Sequence, residues 1–159
     1  MKLTKLLRYL TAILMVGVNL WNYAVNDYAW PVVSRDGAYL MTYFVGNAPE
    51  EQRLHFAVST DGYNFAALNN NEAVIEQTLG TGCVRDPYIL KAKDENGREC
   101  YYIVATDMDA MQGWVSNHAI IFWKSYDLIN WEDEFVLDIR DFEGWEGCNR
   151  AWAPQIIYD

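Results

Sequence analysis

Two short motifs hold the side chains best suited to chemistry. The first, residues 82–89, contains Asp86 directly before Pro87. The second, residues 151–159, contains Trp152, which lies 66 residues after Asp86. A carboxylate fixed on a rigid strand can take a proton from water, and an indole can stack on the apolar face of a sugar. Asp86 and Trp152 are therefore the residue types that a general base and a sugar platform require.

Other side chains near these motifs are candidates for substrate contact. Arg85 can bond a sugar hydroxyl or an acid, or it can be a structural arginine that is exposed or paired. Asp107 follows a predicted strand at a loop that substrate can reach, although it and Asp109 also fit the pattern of ordinary loop acids. Trp152 has its own alternative, a core position between packed sheets.

No metal site is predicted from the sequence. It has no C-x-x-C motif, and its three cysteines are too few and scattered for a disulfide framework. The two histidines, His55 and His118, have no ligand-like partner nearby in sequence. We therefore expect neither a metal ion nor a cofactor bound by these residues.

The positions of these motifs follow from an internal repeat. Residues 54–65 align without gaps on residues 120–131, so that Ser, Asp, Asn and an aromatic residue recur at the same offsets. Short polar side chains of this kind bond the amides of their own turn. We therefore predict that Asp61 and Asp127 are structural turn residues rather than catalytic acids.

The repeat belongs to a series of short strands that predicts β-propeller blades. Runs rich in Val, Ile, Tyr, Phe and Trp end at Gly, Asn, Asp or Pro, which is typical of an all-β fold. One blade is predicted over residues 36–80, a second over 84–140, and the start of a third over 152–158. A propeller needs at least ~4 blades to close, so the sequence predicts part of a propeller. The predicted strands are 39–45, 53–59, 64–67, 84–91, 99–106, 119–125, 130–137 and 152–158.

Charge and the N-terminal segment indicate where the protein acts. The formal net charge of −10 repels phosphate backbones, which argues against nucleic acid as a partner. Lys2, Lys5 and Arg8 precede a mostly apolar stretch, residues 9–18, that is too short for a comfortable membrane span. We therefore predict a signal peptide over residues 1–24, a partial propeller over 25–159, and a secreted or periplasmic protein without a stable membrane span.

The two motifs resemble those of glycoside hydrolase family 43. Val-Arg-Asp-Pro-Tyr-Ile at 84–89 is similar to the D-P-x-[I/V] motif of that family, and Trp-Ala-Pro at 152–154 is similar to its W-A-P opening of the next blade. Ser-Tyr-Asp-Leu-Ile-Asn-Trp at 125–131 resembles the S-x-D-L-x-x-W blade corner. The resemblance covers residues 36–159 and implies a five-bladed propeller that cleaves α-L-arabinofuranosides or β-D-xylosides of plant polysaccharides.

The resemblance also implies a mechanism. Family members invert the anomeric centre with an Asp base, a second Asp that orients and tunes, and a Glu general acid. By its motif Asp86 matches the base, and Trp152, Arg85 and Asp107 are candidates for substrate binding. The second Asp and the Glu follow the W-A-P motif in the family, so we expect this chain alone to be inactive. A calcium ion in the channel is compatible with the resemblance, but no ligand set for it is visible.

Three alternatives to this function stay open on the sequence. One is another five-bladed propeller glycosidase or glycosyltransferring enzyme, of the kind that acts on fructans or mannosides. A second is a non-catalytic propeller that binds carbohydrate and lacks the later acids. A third is a truncated gene product that folds poorly. One further departure is that a full blade precedes the Asp86 motif, whereas many family members begin near it.

Overall fold

The computed structural model describes residues 37–115 and 117–158, and in these ranges the fold is all-β. Two antiparallel sheets are present, and the described residues contain only three-residue 3-10 turns in place of α-helices. The prediction of an all-β fold is confirmed. The predicted signal peptide, residues 1–24, lies outside the described residues, and the number of blades stays a prediction.

Within the described residues, seven strands make up the two sheets, and the order of strands in each sheet is their order in the chain. The first sheet has the order β1-β2-β3 and the second the order β4-β5-β6-β7. The strands are β1 (Tyr39–Tyr43), β2 (His55–Ser59), β3 (Ala66–Ala67), β4 (Val84–Lys93), β5 (Glu99–Asp107), β6 (Ala119–Ser125) and β7 (Trp131–Asp138).

The strand predictions are confirmed with one exception. Each of the first seven predicted strands overlaps an observed strand, with ends that differ by a few residues. The predicted strand at 152–158 is wrong, because that segment has no strand conformation. A strand requires a partner that exchanges backbone hydrogen bonds, and no described segment pairs with residues 152–158. Pro154 also removes one donor from it.

The chain divides into two compact units, each described here by itself. Within the described residues, the first unit combines 37–41 with Phe56–Glu72, and the second combines Thr42–His55 with the residues from Ala73 onward. The core of the second unit lies in the middle strands of its sheet, where β5 and β6 pair Ile103 with Trp123. Residues 103–107 of β5 are all buried, which shows that both faces of this strand are covered.

The repeated corners have the same hydrogen-bond pattern in both units. In the first, Ser59 Oγ accepts from two turn amides, and Asp61 Oδ1 accepts from the amides of Tyr63 and Asn64 at 2.8 Å. In the second, Ser125 Oγ and Asp127 Oδ1 accept from the corresponding four amides. The structural role predicted for both aspartates is therefore confirmed.

The corner bonds change the acidity of both aspartates. The amide of Asn64, followed by its side chain, holds the pKa of Asp61 far below its usual value. Burial raises the pKa of Asp127, but the bonds from Asn130, Ile129 and Ser125 together outweigh it and lower that pKa. Both carboxylates are thus kept ionised by donors that point at them, as hydrogen bonds to the charged form require.

Candidate functional site

Asp86 lies at an irregularity inside β4 rather than at a strand start. The register of β4 against β5 shifts between Arg85 and Tyr88, which marks a β-bulge. Asp86 has φ +47°, in the left-handed region that Asp tolerates better than most residues, and it is exposed. Pro87, which follows, has no amide hydrogen for the ladder, and Thr42 Oγ1 donates to its carbonyl at 2.7 Å. The bulge therefore turns the Asp86 side chain out of the regular strand.

A buried hydroxyl connects Asp86 to the second motif. Thr106 Oγ1 donates to Asp86 Oδ2 at 3.3 Å and accepts from Ala153 N at 2.9 Å. Thr106 lies opposite Arg85 in the β4–β5 register and is fully buried. The structure thus brings the two motifs of the sequence to one side chain. Like Asp86, Ala153 has a left-handed backbone, with φ +48°.

Trp152 is exposed but anchored. Its side chain is 45% exposed, and its Nε1 donates to Asn117 Oδ1. Asn117 is buried, and its side-chain Nδ2 donates to the Ala151 carbonyl at 3.0 Å. The backbone carbonyl of Asn117 accepts from Ala151 N. Trp114, itself 51% exposed, meets Trp152 edge-on at 6.4 Å between ring centroids. The indole therefore presents surface to solvent from a fixed position, and its role as a sugar platform stays a prediction.

Arg85 is held by aromatic and polar neighbours. Its guanidinium lies 4.4 Å from the Phe44 ring centroid and 5.2 Å from that of Trp114. Its Nη1 donates to Asn47 Oδ1 at 2.9 Å and to Gln52 Oε1 at 3.3 Å. Contacts with two aromatic rings and hydrogen bonds through one nitrogen fix the guanidinium. Substrate contact by Arg85 stays a prediction.

Asp107 holds a loop instead of facing open solvent. It is buried, and its Oδ1 accepts from Gln77 Nε2, Thr81 N and Thr81 Oγ1 at 2.7–2.8 Å. Gly80 passes so close that a Cβ there would lie 2.2 Å from Asp107 Oδ2. The substrate contact predicted for Asp107 stays a prediction, and the contacts observed are those of a residue that fixes loop 77–81.

Asp109 also has a local role in the structure. Its side chain accepts from Met111 N at 3.0 Å and begins the 3-10 turn Ala110–Gln112. The same oxygen, Oδ1, accepts from Gln52 Nε2 at 3.1 Å, and the other, Oδ2, accepts from Gln112 Nε2. The Met111 amide is the main reason that the pKa of Asp109 is lowered. The interpretation of Asp109 as a loop acid agrees with these contacts.

Sequence reasoning missed the residues that support the two motifs. Thr106, Asn117 and Gln52 are buried polar side chains, and each bonds at least two other groups. A signal was present for Thr106, since it is the polar residue that ends the apolar run 103–105 of a predicted strand. Buried polar groups need partners, so a lone Thr in such a run indicates a specific acceptor.

Comparison with known proteins decides the family. A family model described as a probable glycosyl hydrolase domain, related to glycoside hydrolase family 43, matches residues 36–159. The chain belongs to this glycosyl hydrolase family. The match contains both motifs, so the resemblance read from the Asp86 and Trp152 motifs is confirmed at the level of the family.

A curated relative agrees with this family. The chain is 28% identical over 124 residues to an alpha-L-arabinofuranosidase of Bifidobacterium longum subsp. longum. The matched region is 71% of this chain and 11% of that protein, so this glycosyl hydrolase chain spans a small part of the relative's length. No solved structure gave a significant match.

Residues 37–115 and 117–158 contain neither a metal-binding cluster nor a membrane-spanning helix. No group of three or more His, Cys, Asp and Glu side chains in these ranges is arranged to hold a metal ion. None of the described segments forms a helix with the length and apolar character that crossing a membrane requires.

Proposed function

We propose that this glycosyl hydrolase domain cleaves arabinofuranosyl or xylosyl linkages of plant polysaccharides, with Asp86 as the general base. One observation carries the proposal: an exposed carboxylate on a left-handed bulge, bonded to a buried hydroxyl that also bonds the turn after Trp152. Backbone strain of this kind clusters at functional sites. The alpha-L-arabinofuranosidase relative and the family support the sugar class.

The reaction is a single displacement with inversion. Asp86 takes a proton from a water molecule as the water oxygen attacks the anomeric carbon, and a general acid gives a proton to the departing glycosidic oxygen. The two carboxyl groups of such a pair stand roughly 6.5–9.5 Å apart, which leaves room for the water. In this proposal the acid and the second Asp come from residues after the Trp152 motif, as the family resemblance implies.

The neighbours of Asp86 bind and align the sugar. Trp152 offers an exposed indole for stacking on a pentose ring, and its bond to Asn117 keeps that surface in place. Arg85 offers its remaining N–H groups to sugar hydroxyls from a guanidinium that is already fixed. Asp107 serves the site through loop 77–81, which it holds in position.

The two sheets are blades of a five-bladed propeller in this proposal. Antiparallel sheets of consecutive strands and a repeated corner support it. An experimental structure of the full-length gene product tests this, and a sheet packing other than radial blades would contradict it.

Export to the periplasm or the medium completes the proposal. It is supported by the basic and then apolar N-terminal residues 1–18. Cell fractionation of the native organism, with N-terminal sequencing of the mature protein, tests it. A cytosolic protein that keeps Met1 would contradict export without affecting the assignment of Asp86.

The test of the base is Asp86→Asn in the full-length gene product, assayed on p-nitrophenyl α-L-arabinofuranoside and β-D-xyloside. Asn tolerates the same left-handed backbone, so the fold should be unchanged. We expect activity to fall by about 10²- to 10⁴-fold, the usual contribution of a general base. Asp141→Asn, at an exposed residue, is the matched control. Wild-type activity in Asp86→Asn would refute the assignment.

A further inference from the structure

Two arginines and two tryptophans form a continuous surface that is linked to Asp86 through Thr106 and Ala153. We call Arg85, Trp114, Trp152 and Arg150 the cationic–aromatic cluster. The Arg85 guanidinium lies 5.2 Å from the Trp114 ring centroid, Trp114 meets Trp152 at 6.4 Å, and the Arg150 guanidinium lies 5.0 Å from the Trp152 ring centroid. Both indoles are about half exposed. The cluster therefore places two adjoining indoles between two guanidiniums.

Neither guanidinium of the cluster has a carboxylate partner within the described residues. The ion pairs there join Lys91 to Glu99 and Arg140 to Asp138. Among residues 37–115 and 117–158, the acceptors of Arg85 are neutral oxygens, and Arg150 Nε donates to the Trp114 carbonyl at 3.2 Å. Two guanidiniums that form no ion pair with the described residues are notable in a chain with a formal net charge of −10.

The guanidiniums keep donors that can meet an anion. Arg85 uses Nη1 for its hydrogen bonds among the described residues, and Arg150 uses Nε. A guanidinium that stacks on an aromatic ring still has N–H groups that point outward in its own plane. A pair of these groups matches the two oxygens of a carboxylate. The cluster thus combines fixed aromatic surface with unused charged donors.

We propose that the cationic–aromatic cluster is a subsite for a sugar residue that carries a carboxylate, a uronic acid. Such a sugar has an apolar ring face for the indoles and an anionic group for the guanidiniums. The sugar class rests on the proposed function, whereas the preference for a carboxylate rests on the two unpaired arginines alone.

The charge of Asp86 gives this subsite an orientation. A uronate carboxylate placed beside Asp86 would repel it, whereas beside Arg150 it meets a cation. A uronate in the cluster therefore points its charge away from the base. The subsite would favour polysaccharide in which an acidic sugar lies close to the bond that is cleaved.

The experiment compares two monosaccharides that differ only at C6. Sodium glucuronate and glucose are titrated into the protein and followed by NMR chemical-shift changes of the tryptophan Nε1–H groups. We expect glucuronate to bind at least about tenfold more tightly than glucose at low salt. Added salt should weaken the binding of glucuronate and leave the binding of glucose unchanged. Equal affinity for the two sugars, or no binding of glucuronate, would overturn the proposal.

Two variants locate the effect. Arg150→Gln should reduce the glucuronate affinity to near that of glucose, while Arg140→Gln, which removes an arginine paired with Asp138, should leave it unchanged. Trp114→Ala should weaken the binding of both glucuronate and glucose. If Arg150→Gln binds glucuronate like the wild type, the subsite is refuted. Because these titrations need no turnover, they can succeed when Asp86→Asn refutes the base, and they can fail when hydrolysis is confirmed.

Discussion

Thr106 Oγ1 donates a hydrogen bond to Asp86 Oδ2 across β4 and β5, at 3.3 Å. The same hydroxyl oxygen accepts from Ala153 N, so its single hydrogen is directed to the carboxylate. Asp86 and Ala153 both have left-handed backbones, with φ of +47° and +48°. One buried side chain therefore aims the candidate base and fixes the turn that presents Trp152.

Replacement of Thr106 tests this positioning role. In the full-length gene product, Thr106→Val keeps the shape but loses the hydroxyl, so we expect kcat on aryl arabinofuranoside to fall about 10- to 100-fold with little change in KM. Thr106→Ser restores the hydroxyl and should recover most of kcat. If the role of Thr106 were structural alone, Thr106→Val would lower the free energy of unfolding but would not lower kcat selectively over KM. Equal kcat in Val and Ser variants would contradict the positioning role.

The close approach of Gly80 to Asp107 gives a matched pair of variants. Gly80 and Gly82 have similar left-handed φ values, +68° and +73°, so alanine strains the backbone equally at both. A Cβ at Gly80 meets Asp107 Oδ2, whereas one at Gly82 meets nothing within 4 Å. Gly80→Ala should therefore lower the free energy of unfolding by about 1–3 kcal/mol more than Gly82→Ala, measured by urea denaturation. Equal effects would contradict the tight loop.

The second corner can be weakened at its aspartate. Asp127→Ala removes the acceptor for the amides of Ile129 and Asn130, so we expect the free energy of unfolding to fall by about 1–3 kcal/mol. Glu143→Ala, at an exposed residue after β7, is the control and should change it by less than about 0.5 kcal/mol. Urea denaturation followed by tryptophan fluorescence measures both. A null effect at Asp127 would show that the corner does not depend on its carboxylate.

Two aspartates of the second unit, Asp127 in the corner and Asp138 at the end of β7, also predict how stability depends on pH. Hydrogen bonds lower the pKa of Asp127, and the Arg140 side chain lowers that of Asp138 to about 2, whereas an unfolded Asp titrates near 3.9. The unfolded chain therefore binds protons first as the pH falls, so stability is full above about pH 4 and declines toward pH 2. Asp127→Asn should make this decline shallower in denaturation curves at stepwise pH. An unchanged slope would contradict the contribution of Asp127.

The sequence predicted the parts of this molecule that depend on local chemistry. Alternation and turn residues indicated seven of the strands, and the two Ser-x-Asp-x-x-Asn corners follow from bonds that close within six residues. Asp86 and Trp152 were found because their motifs are short and continuous. The strand predicted at 152–158 was wrong because strand formation depends on a partner, which local sequence does not specify.

What the sequence did not predict depends on contacts between distant residues. Thr106 meets Ala153 from 47 positions away, and Asn117 meets Trp152 from 35 positions away. The bulge at Asp86 was also missed, although Pro87 was a signal that the ladder is interrupted. A buried acid such as Asp107 resembles a loop acid in sequence, because its partners on loop 77–81 are brought to it only by the fold.

The consecutive strand order has a consequence for how the protein is made. Each neighbour in the sheet β4-β5-β6-β7 is also the next strand in the chain, so every pairing closes a short loop. Short loops cost little entropy to close, and a fold with low contact order forms quickly. This sheet can therefore assemble hairpin by hairpin as it leaves the ribosome. Asp86, near its first end, acquires its Thr106 partner as soon as β5 has been synthesised.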